Sequence, residues 1–426
     1  MVPPAAAATQ TINLAAIGLG SRAAHMCRLI GRADADVRLT TIVDPNPEPA
    51  RARAARAELP GAATVDVVPD IESLGDRAGD LHGLVIGTPC HLHAPLAVQA
   101  AALGLPLFLE KPVATSWDQV RALAAAYEGR EASIVVSFPL RLTAHVQTAM
   151  NVIRSGRLGV ITQVQAINNV PYGGVYFGQW YRDYDKVGGL WLQKATHDFD
   201  YISYLLRSAP ETVTAMHSRR AYGGTMPHDL VCSRCDRNTV CPESPVQLRA
   251  RGDDGGTLGL GGTKPKDQAD HACCFSDGIR NQDAGSAILM YASGAHASYT
   301  QNFIARRSAG LRGATIIGYD ATLRFDWQSD AVTVIDHHRD RVDRIPVNAT
   351  GSHGGGDTQL ARNFVDVLRG RDVSRSPLSA GLTSAAACLA ARDAANTGIA
   401  QRVPHFGPTP EGDGFPRVAG GPIEPA

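Results

Sequence analysis

The sequence predicts an α/β protein of two domains. The first is built on a parallel sheet, and the second is an α/β domain on a large, mostly antiparallel sheet. Three observations carry that prediction. Between residues 11 and 140 short, continuous apolar runs alternate with helix-period segments, as parallel strands covered on both faces require. From 284 to 345 apolar-alternating segments follow one another with only Gly and Asp turns between them, which is antiparallel patterning. A chain of 426 residues also exceeds the size at which one core keeps growing.

The first element, TINLAAIGLGSRA over residues 11 to 23, reads as a buried strand, a Gly-rich turn and a helix start. Gly18-Leu19-Gly20 followed by Ala23 is the dinucleotide fingerprint of a Rossmann domain in its G-x-G-x-x-A form. Gly18 makes the turn, Gly20 admits backbone to the pyrophosphate, and Ala23 permits close helix packing. Ser21 and Arg22 open the helix beside it. A second apolar run, Val37 to Val43, ends in Asp44, where a carboxylate can bond the ribose 2′-hydroxyl. That favours NAD; NADP requires Arg22 or another arginine to offset Asp44.

Further alternation predicts a helix over Glu48 to Leu59 and strands at Thr64 to Val68 and Gly83 to Ile86. A helix over Ala94 to Leu103 and strands at Pro106 to Leu109 and Ile134 to Ser137 follow. In an open parallel sheet the ligand lies beyond the carboxyl ends of the strands. Two such ends carry polar signatures: Thr88-Pro89-Cys90-His91-Leu92-His93 and Glu110-Lys111-Pro112. Thr88, Pro89, Cys90, His93, Glu110 and Lys111 therefore join the expected cofactor contacts, with Lys111 beside the nicotinamide.

The second half opens with a helix over Arg141 to Ser155 and a strand over Val160 to Val170. Residues 171 to 187, PYGGVYFGQWYRDYDKV, hold five Tyr or Trp residues and a Phe. Such aromatics stack on sugar faces or line an oligomer interface, and the sequence leaves both open. Residues 188 to 206, GGLWLQKATHDFDYISYLL, read as one helix of about four turns, with Lys194, His197 and Tyr201 at i, i+3 and i+7 on a shared face. Phe199, Ile202 and Leu206 form a separate apolar stripe. A strand over Thr212 to Ala221 precedes an insertion, 223–283, that carries Cys232, Cys235 and Cys241 as C-x2-C-x5-C, with His271, Cys273 and Cys274 further on. That spacing invites a structural zinc site; the alternative is a set of reduced thiols, and no metal ligand is assigned. Strands at Ser286 to Tyr291, Ala295 to Ile304, Ala314 to Ile317, Thr322 to Phe325 and Val332 to Ile335 and helices at Thr358 to Leu368 and Leu378 to Asn396 complete the chain. The expected domains are a flexible start (1–10), a nucleotide-binding domain (11–140), a substrate and oligomerisation domain (141–403) and a flexible tail (404–426).

From GLGSRA through TPCHLHAPLAVQAAALGLPLFLEKP to GGLWLQKATHDFD, the chain resembles the Gfo/Idh/MocA oxidoreductases, the glucose-fructose oxidoreductase and inositol dehydrogenase group. The resemblance implies a Rossmann domain followed by an α/β domain with a large antiparallel sheet that carries substrate contacts and oligomer surfaces. It also implies that the Glu-Lys-Pro lysine, Lys111, lies beside nicotinamide and substrate hydroxyl and that His197 reaches the same pocket. Two positions depart from the family pattern. Gln193 stands where many members have Asp, with Lys194 next to it, and Cys90 stands where an Asn is frequent. The expected catalytic set is therefore Lys111, Lys194 and His197, with Arg141, Tyr176, Trp180, Asp198 and Tyr201 toward the substrate.

The chain holds only five lysines, Lys111, Lys186, Lys194, Lys264 and Lys266, against 41 Lys and Arg together, so a lysine here is chosen over arginine, which cannot release its proton. Zero formal charge leaves no electrostatic footprint for nucleic acid or anionic membrane. The segment MVPPAAAATQ lacks a basic signal region and no apolar run reaches membrane-spanning length, so a cytoplasmic protein is expected. The expected activity is NAD(P)-dependent hydride transfer from a secondary alcohol of a sugar, glycoside or cyclitol, in a homo-oligomer, dimer or tetramer. Two alternatives use the same parts: a redox-neutral enzyme that oxidises and re-reduces its glycoside, and, more remotely, a nucleotide-binding sensor without activity.

Overall fold

The computed structural model describes residues 10–251 and 271–406. The expected flexible N-terminus, most of the expected tail, and Lys264 and Lys266 lie outside the described residues. The chain divides into two compact units. The first takes residues up to 114, then 118–138 and 357–381; the second takes 115–117, 139–356 and the remainder from 382. The C-terminal domain expected over 141–403 is thus not contiguous. The helix Gly356–Leu368 carries Phe364, whose ring meets Phe108 edge to face at 5.7 Å in the first unit's core.

In the first unit, β1 (Ile12–Ile17), β2 (Val37–Val43), β3 (Asp66–Val68), β4 (Gly83–Ile86), β5 (Leu107–Leu109) and β6 (Ile134–Val136) form a sheet ordered β3-β2-β1-β4-β5-β6. Every pairing is parallel. The strands are short and apolar because helices cover both faces; Leu84, Val85 and Ile86 of β4 are fully buried. The order reverses between β1 and β4, and the carboxyl ends there form the crevice where such sheets receive ligands.

The second unit holds nine strands: β7 (Ile161–Asn169), β8 (Pro210–Ser218), β9 (Ala284–Tyr291), β10 (His296–Asn302), β11 (Leu311–Gly318), β12 (Ala321–Asp326), β13 (Ala331–Asp336), β14 (Val342–Pro346) and β15 (Gln401–Arg402). Their order is β14-β13-β12-β11-β7-β10-β9-β8-β15. Seven of its pairings are antiparallel, as the alternation predicts, but β7 and β10 run parallel at the centre. Parallel neighbours need a long crossover, and the segment 170–295 is that crossover. It carries both the aromatic stretch and the helix Thr196–Leu206. β14 and β15 escape sequence reading because one is an exposed edge strand and the other is two residues long.

The stretch 188–206 is not one α-helix. Trp191–Ala195 makes a π-turn before the α-helix Thr196–Leu206 begins. The wider turn changes the phase, so Lys194 does not share a face with Tyr201 as 3.6-residue spacing predicts. Residues 191–202 of this stretch are buried all round, including Phe199 and Ile202 of the predicted stripe.

Candidate active site

The first unit carries the candidate cofactor residues. Gly18 has φ +70°, and a Cβ there would sit 2.5 Å from Thr88 Cγ2 and 3.2 Å from Thr88 Cα. Only glycine suits both the conformation and the space. Gly20 precedes the helix Ser21–Ala33, whose free N-terminal amides suit a phosphate. Ala23 packs on Gly87 so closely that a Cβ on Gly87 would lie 2.3 Å from that of Ala23, which is the close helix–strand approach the fingerprint's third position serves. These residues fit a dinucleotide: the backbone is exposed where side chains would obstruct it.

Asp44 follows β2, accepts the Asn46 amide at 2.9 Å and pairs with Arg53 at 2.5 Å. Arg22 does not stand beside it. Its guanidinium bonds Glu110 at 3.1 Å, Asp357 at 2.6 and 2.8 Å, and Ser137 Oγ at 3.1 Å. The arginine near Asp44 is therefore Arg53, and Arg22 instead fixes Glu110, the residue before Lys111.

The Thr88 and Lys111 strand ends are tied together by His93. Its Nδ1 lies 2.8 Å from the Pro112 carbonyl and its Nε2 2.8 Å from the Thr88 carbonyl. A neutral ring donates to only one of them. Burial holds the imidazole below its ordinary pKa, against the pull of the Pro112 carbonyl, Glu110 and the Thr88 carbonyl. Pro89 caps the turn into Cys90, which is buried; burial pushes its thiol up to about 11 despite nearby Lys111. Lys111 itself is half-buried.

The second unit carries candidate acid-base residues of its own. Lys194 is 5% exposed, and its Nζ donates to the Tyr172 hydroxyl at 2.7 Å while lying over the Tyr172 and Tyr176 rings at 4.9 and 5.6 Å. Burial raises the Tyr172 phenol, but the Lys194 charge and hydrogen bond, Arg312 and a hydrogen bond from Tyr176 outweigh it and hold it below its ordinary value. Tyr176 goes well above its own, through burial and the neighbouring Tyr172 and Tyr181. Tyr172 is the partly buried member of the group. His197 is buried on the following helix, its ring 6.4 Å from that of His353.

Three residues expected to meet substrate are occupied elsewhere. Asp198 is 0% exposed and accepts from Asn168 of β7 and Tyr299 of β10 at 2.9 Å, and from both Arg312 Nε and Nη2 of β11 at 2.8 and 2.9 Å. It anchors the helix to the sheet. Tyr201 lies fully buried between Phe325 and Trp327, with its hydroxyl 3.4 Å from the Gly313 carbonyl. Arg141 is buried in a two-bond pair with Asp200. Of the aromatic stretch, Tyr176 and Phe177 pack with Tyr222 and Phe303 as core. Trp180 stays 45% exposed.

In the insertion, Cys232, Cys235, Cys241, Cys273, Cys274 and His271 line one small cavity, with Cys232 Sγ 3.7 Å from His271 Nδ1. Among the described residues, however, no three His, Cys, Asp or Glu side chains form a group that could hold a metal. All eight cysteines are free thiols, and burial raises the Cys274 thiol well above its ordinary value.

Residues 12–138 match the profile described as the oxidoreductase family with an NAD-binding Rossmann fold, and residues 146–324 match the GFO/IDH/MocA C-terminal domain. The chain belongs to the Gfo/Idh/MocA oxidoreductase family. Among its Gfo/Idh/MocA relatives, inositol 2-dehydrogenase of Rhizobium meliloti (strain 1021) is 30% identical over 207 residues, 48% of this chain and 58% of that protein. The chain thus matches little more than half the length of that relative. Levoglucosan dehydrogenase of Pseudarthrobacter phenanthrenivorans is 30% identical over 138 residues, 30% of this chain and 33% of that protein. A Bacillus subtilis (strain 168) protein named as an oxidoreductase is 23% identical over 423 residues, 92% of this chain and 97% of that one. In fold, a levoglucosan dehydrogenase in complex with NADH superposes with a TM-score of 0.70 at 20% identity, over 93% of this chain and all of that one. The resemblance points to Lys111 and His197 as expectations; Tyr172, Arg53 and the Asp198 partners were not found from the sequence. Tyr172 had a signal: it belongs to the same aromatic run as Tyr176.

Proposed function

We propose that the protein oxidises a secondary alcohol of a sugar, glycoside or cyclitol with NAD, using Tyr172 and Lys194 as its proton-accepting pair. The observation that carries this reading is the 2.7 Å hydrogen bond from buried Lys194 to the hydroxyl of partly buried Tyr172. An alcohol gives up hydride only as its proton departs, and a free tyrosine with a pKa of about 10 is a poor base at neutral pH. Two donated hydrogen bonds and the Lys194 and Arg312 charges favour the phenolate. Lys194 thereby primes Tyr172 as the proton acceptor of the pair. Lys111 and His197 complete the proposed catalytic set, as groups that hold the substrate oxygen while its proton passes to Tyr172 and it becomes a carbonyl.

Bound NAD would supply the hydride acceptor, held by Gly18, Gly20, Ser21, Asp44 and Thr88. Mixed β7/β10 topology brings Asn168, Tyr299 and Arg312 under Asp198, and this rigid base keeps the Lys194 turn in place. A second copy of the chain is the expected partner. Met216 of β8 and Ile288 and Met290 of β9 are exposed on one sheet face, an apolar area of the kind that interfaces cover. Free thiols throughout accord with a reducing cytoplasm. In the described residues no helix is long and apolar enough to cross a membrane.

The test is the near-ultraviolet absorbance of reduced nicotinamide on mixing protein, NAD or NADP, and a panel of sugars, glycosides and cyclitols. Rising absorbance with one substrate class and NAD is the expected result. A flat trace with substrate disappearing in the same tube would replace this reading with the redox-neutral one.

A further inference from the structure

A second cavity in the same unit, of 810 Å³, is lined by Trp180, Arg182, Tyr184, Lys186, His228 and Arg280 among others. Its volume is that of a site for a molecule of sugar size or larger. Two carboxylates also line it, and each already has a cation: Asp183 pairs with Lys186 at 2.7 Å and Asp185 with Arg280 at 2.5 Å. Arg182 is the exception. It is 8% exposed, its Nη2 donates to Ser276 Oγ and to His228 Nδ1, and its Nε is buried with no hydrogen-bond partner. Among the described residues no carboxylate forms an ion pair with it. Burial lowers the guanidinium's pKa, and the neighbouring Cys274, Cys273 and Asp277 only partly oppose it. A guanidinium does not shed its proton to escape that cost, so the cavity wall carries a desolvated positive charge that an anion would neutralise.

The remaining wall is suited to a ring. Trp180 is exposed and lies tilted against Tyr181 at 4.2 Å; Tyr181 meets Tyr176 at 5.2 Å, Tyr176 meets Tyr172 at 6.3 Å, and Lys194 lies over Tyr172. Contiguous aromatic rings therefore lead from the proposed acid-base pair to the cavity. We propose that this cavity is a subsite for an acidic saccharide, with the carboxylate or phosphate at Arg182 and a sugar face against Trp180. The proposal deepens the dehydrogenase reading, on which it rests only for the substrate being a sugar.

Titration calorimetry on the full-length protein with NAD present tests it, using glucuronate, glucuronamide, glucose 6-phosphate and glucose as probes. Glucuronate and glucuronamide share a ring and differ in charge, so their comparison on the unaltered protein needs no variant. The subsite predicts that at least one anionic probe binds about tenfold or more tightly than its neutral counterpart, the scale of a charge-assisted bond. Preference for glucuronate over glucuronamide assigns a uronate; preference for glucose 6-phosphate over glucose assigns a phosphate ester. Arg182→Gln removes the preference and Arg182→Lys retains part of it. Equal affinities for charged and neutral probes on the unaltered protein overturn the subsite, as does a folded Arg182→Gln variant that keeps the preference. Absorbance of NADH in parallel separates the two claims. Neutral sugars oxidised without any charge preference would remove the subsite and leave the dehydrogenase, whereas charge preference with no sugar oxidised or consumed would do the reverse.

Discussion

The two units hold their candidate functional residues in opposite ways. In the first unit the cofactor cradle is built from what is missing: Gly18, Gly20 and Gly87 leave backbone bare and let Ala23 and Thr88 approach. In the second unit the Lys194 segment is built from what is crowded in. Asp198 alone takes four hydrogen bonds from Asn168, Tyr299 and Arg312, and Lys194 sits among Tyr172 and Tyr176. A cradle of backbone tolerates change around it but none at the glycines. A buried polar network distributes the constraint over residues from several strands, and loses stability when any one charge is left alone.

Breaking the acid-base pair should have the largest effect. Tyr172→Phe should lower turnover by about 10² to 10⁴ while leaving NADH binding, read by its fluorescence, intact. Lys111→Ala should cost a similar factor of about 10² to 10⁴ in turnover, again with cofactor retained; equal loss of cofactor affinity would move Lys111 from the chemistry to the cradle. The pH profile sharpens the same contrast. Phenolate accumulates as pH rises through a Tyr172 value held below its ordinary 10, so the rate should climb on an acid limb lying below that pH. Lys194→Met removes the nearest cation and should move that limb upward; an unmoved limb would dissociate Lys194 from Tyr172.

Next comes the network. Arg312→Met leaves Asp198 buried without its cation and should cost about 3 to 5 kcal/mol in urea unfolding, mostly without altering the first unit's hold on NAD. The smallest effect expected is at the ribose end: Asp44→Ala should weaken NAD by about tenfold and narrow its advantage over NADP. Arg53 then stands free of its carboxylate partner, so an unchanged ratio of the two affinities would show that Asp44 does not face the 2′ position.

Legibility in the sequence follows the same divide. The first unit reads well because each functional position is local: a turn glycine, the small residue five places on, the carboxylate at the next strand's end. β4 matches its apolar run, Gly83 to Ile86, end to end. The second unit reads well only as strands. Tyr172 and Lys194 are 22 residues apart and meet because the β7–β10 crossover folds back, which no spacing rule records. Helical periodicity placed Tyr201 beside Lys194, and the π-turn at Trp191–Ala195 undid it. Asp198 and Arg141 looked available as polar residues near a site, and both are consumed by buried partners 114 and 59 positions away, Arg312 and Asp200. Segment 357–381 joins the first unit for a similar reason, since its apolar face is read easily and its docking site is not.

The most direct measurement follows NADH absorbance with the protein, NAD and whichever sugar of the panel is turned over, for the unaltered chain and for Tyr172→Phe side by side, with NADH fluorescence confirming cofactor binding in both. The account predicts a steady rise for the unaltered protein and a rate lower by about two orders of magnitude or more for the variant, at equal cofactor affinity. Equal rates for the two would contradict it and return the proton transfer to Lys111 or His197.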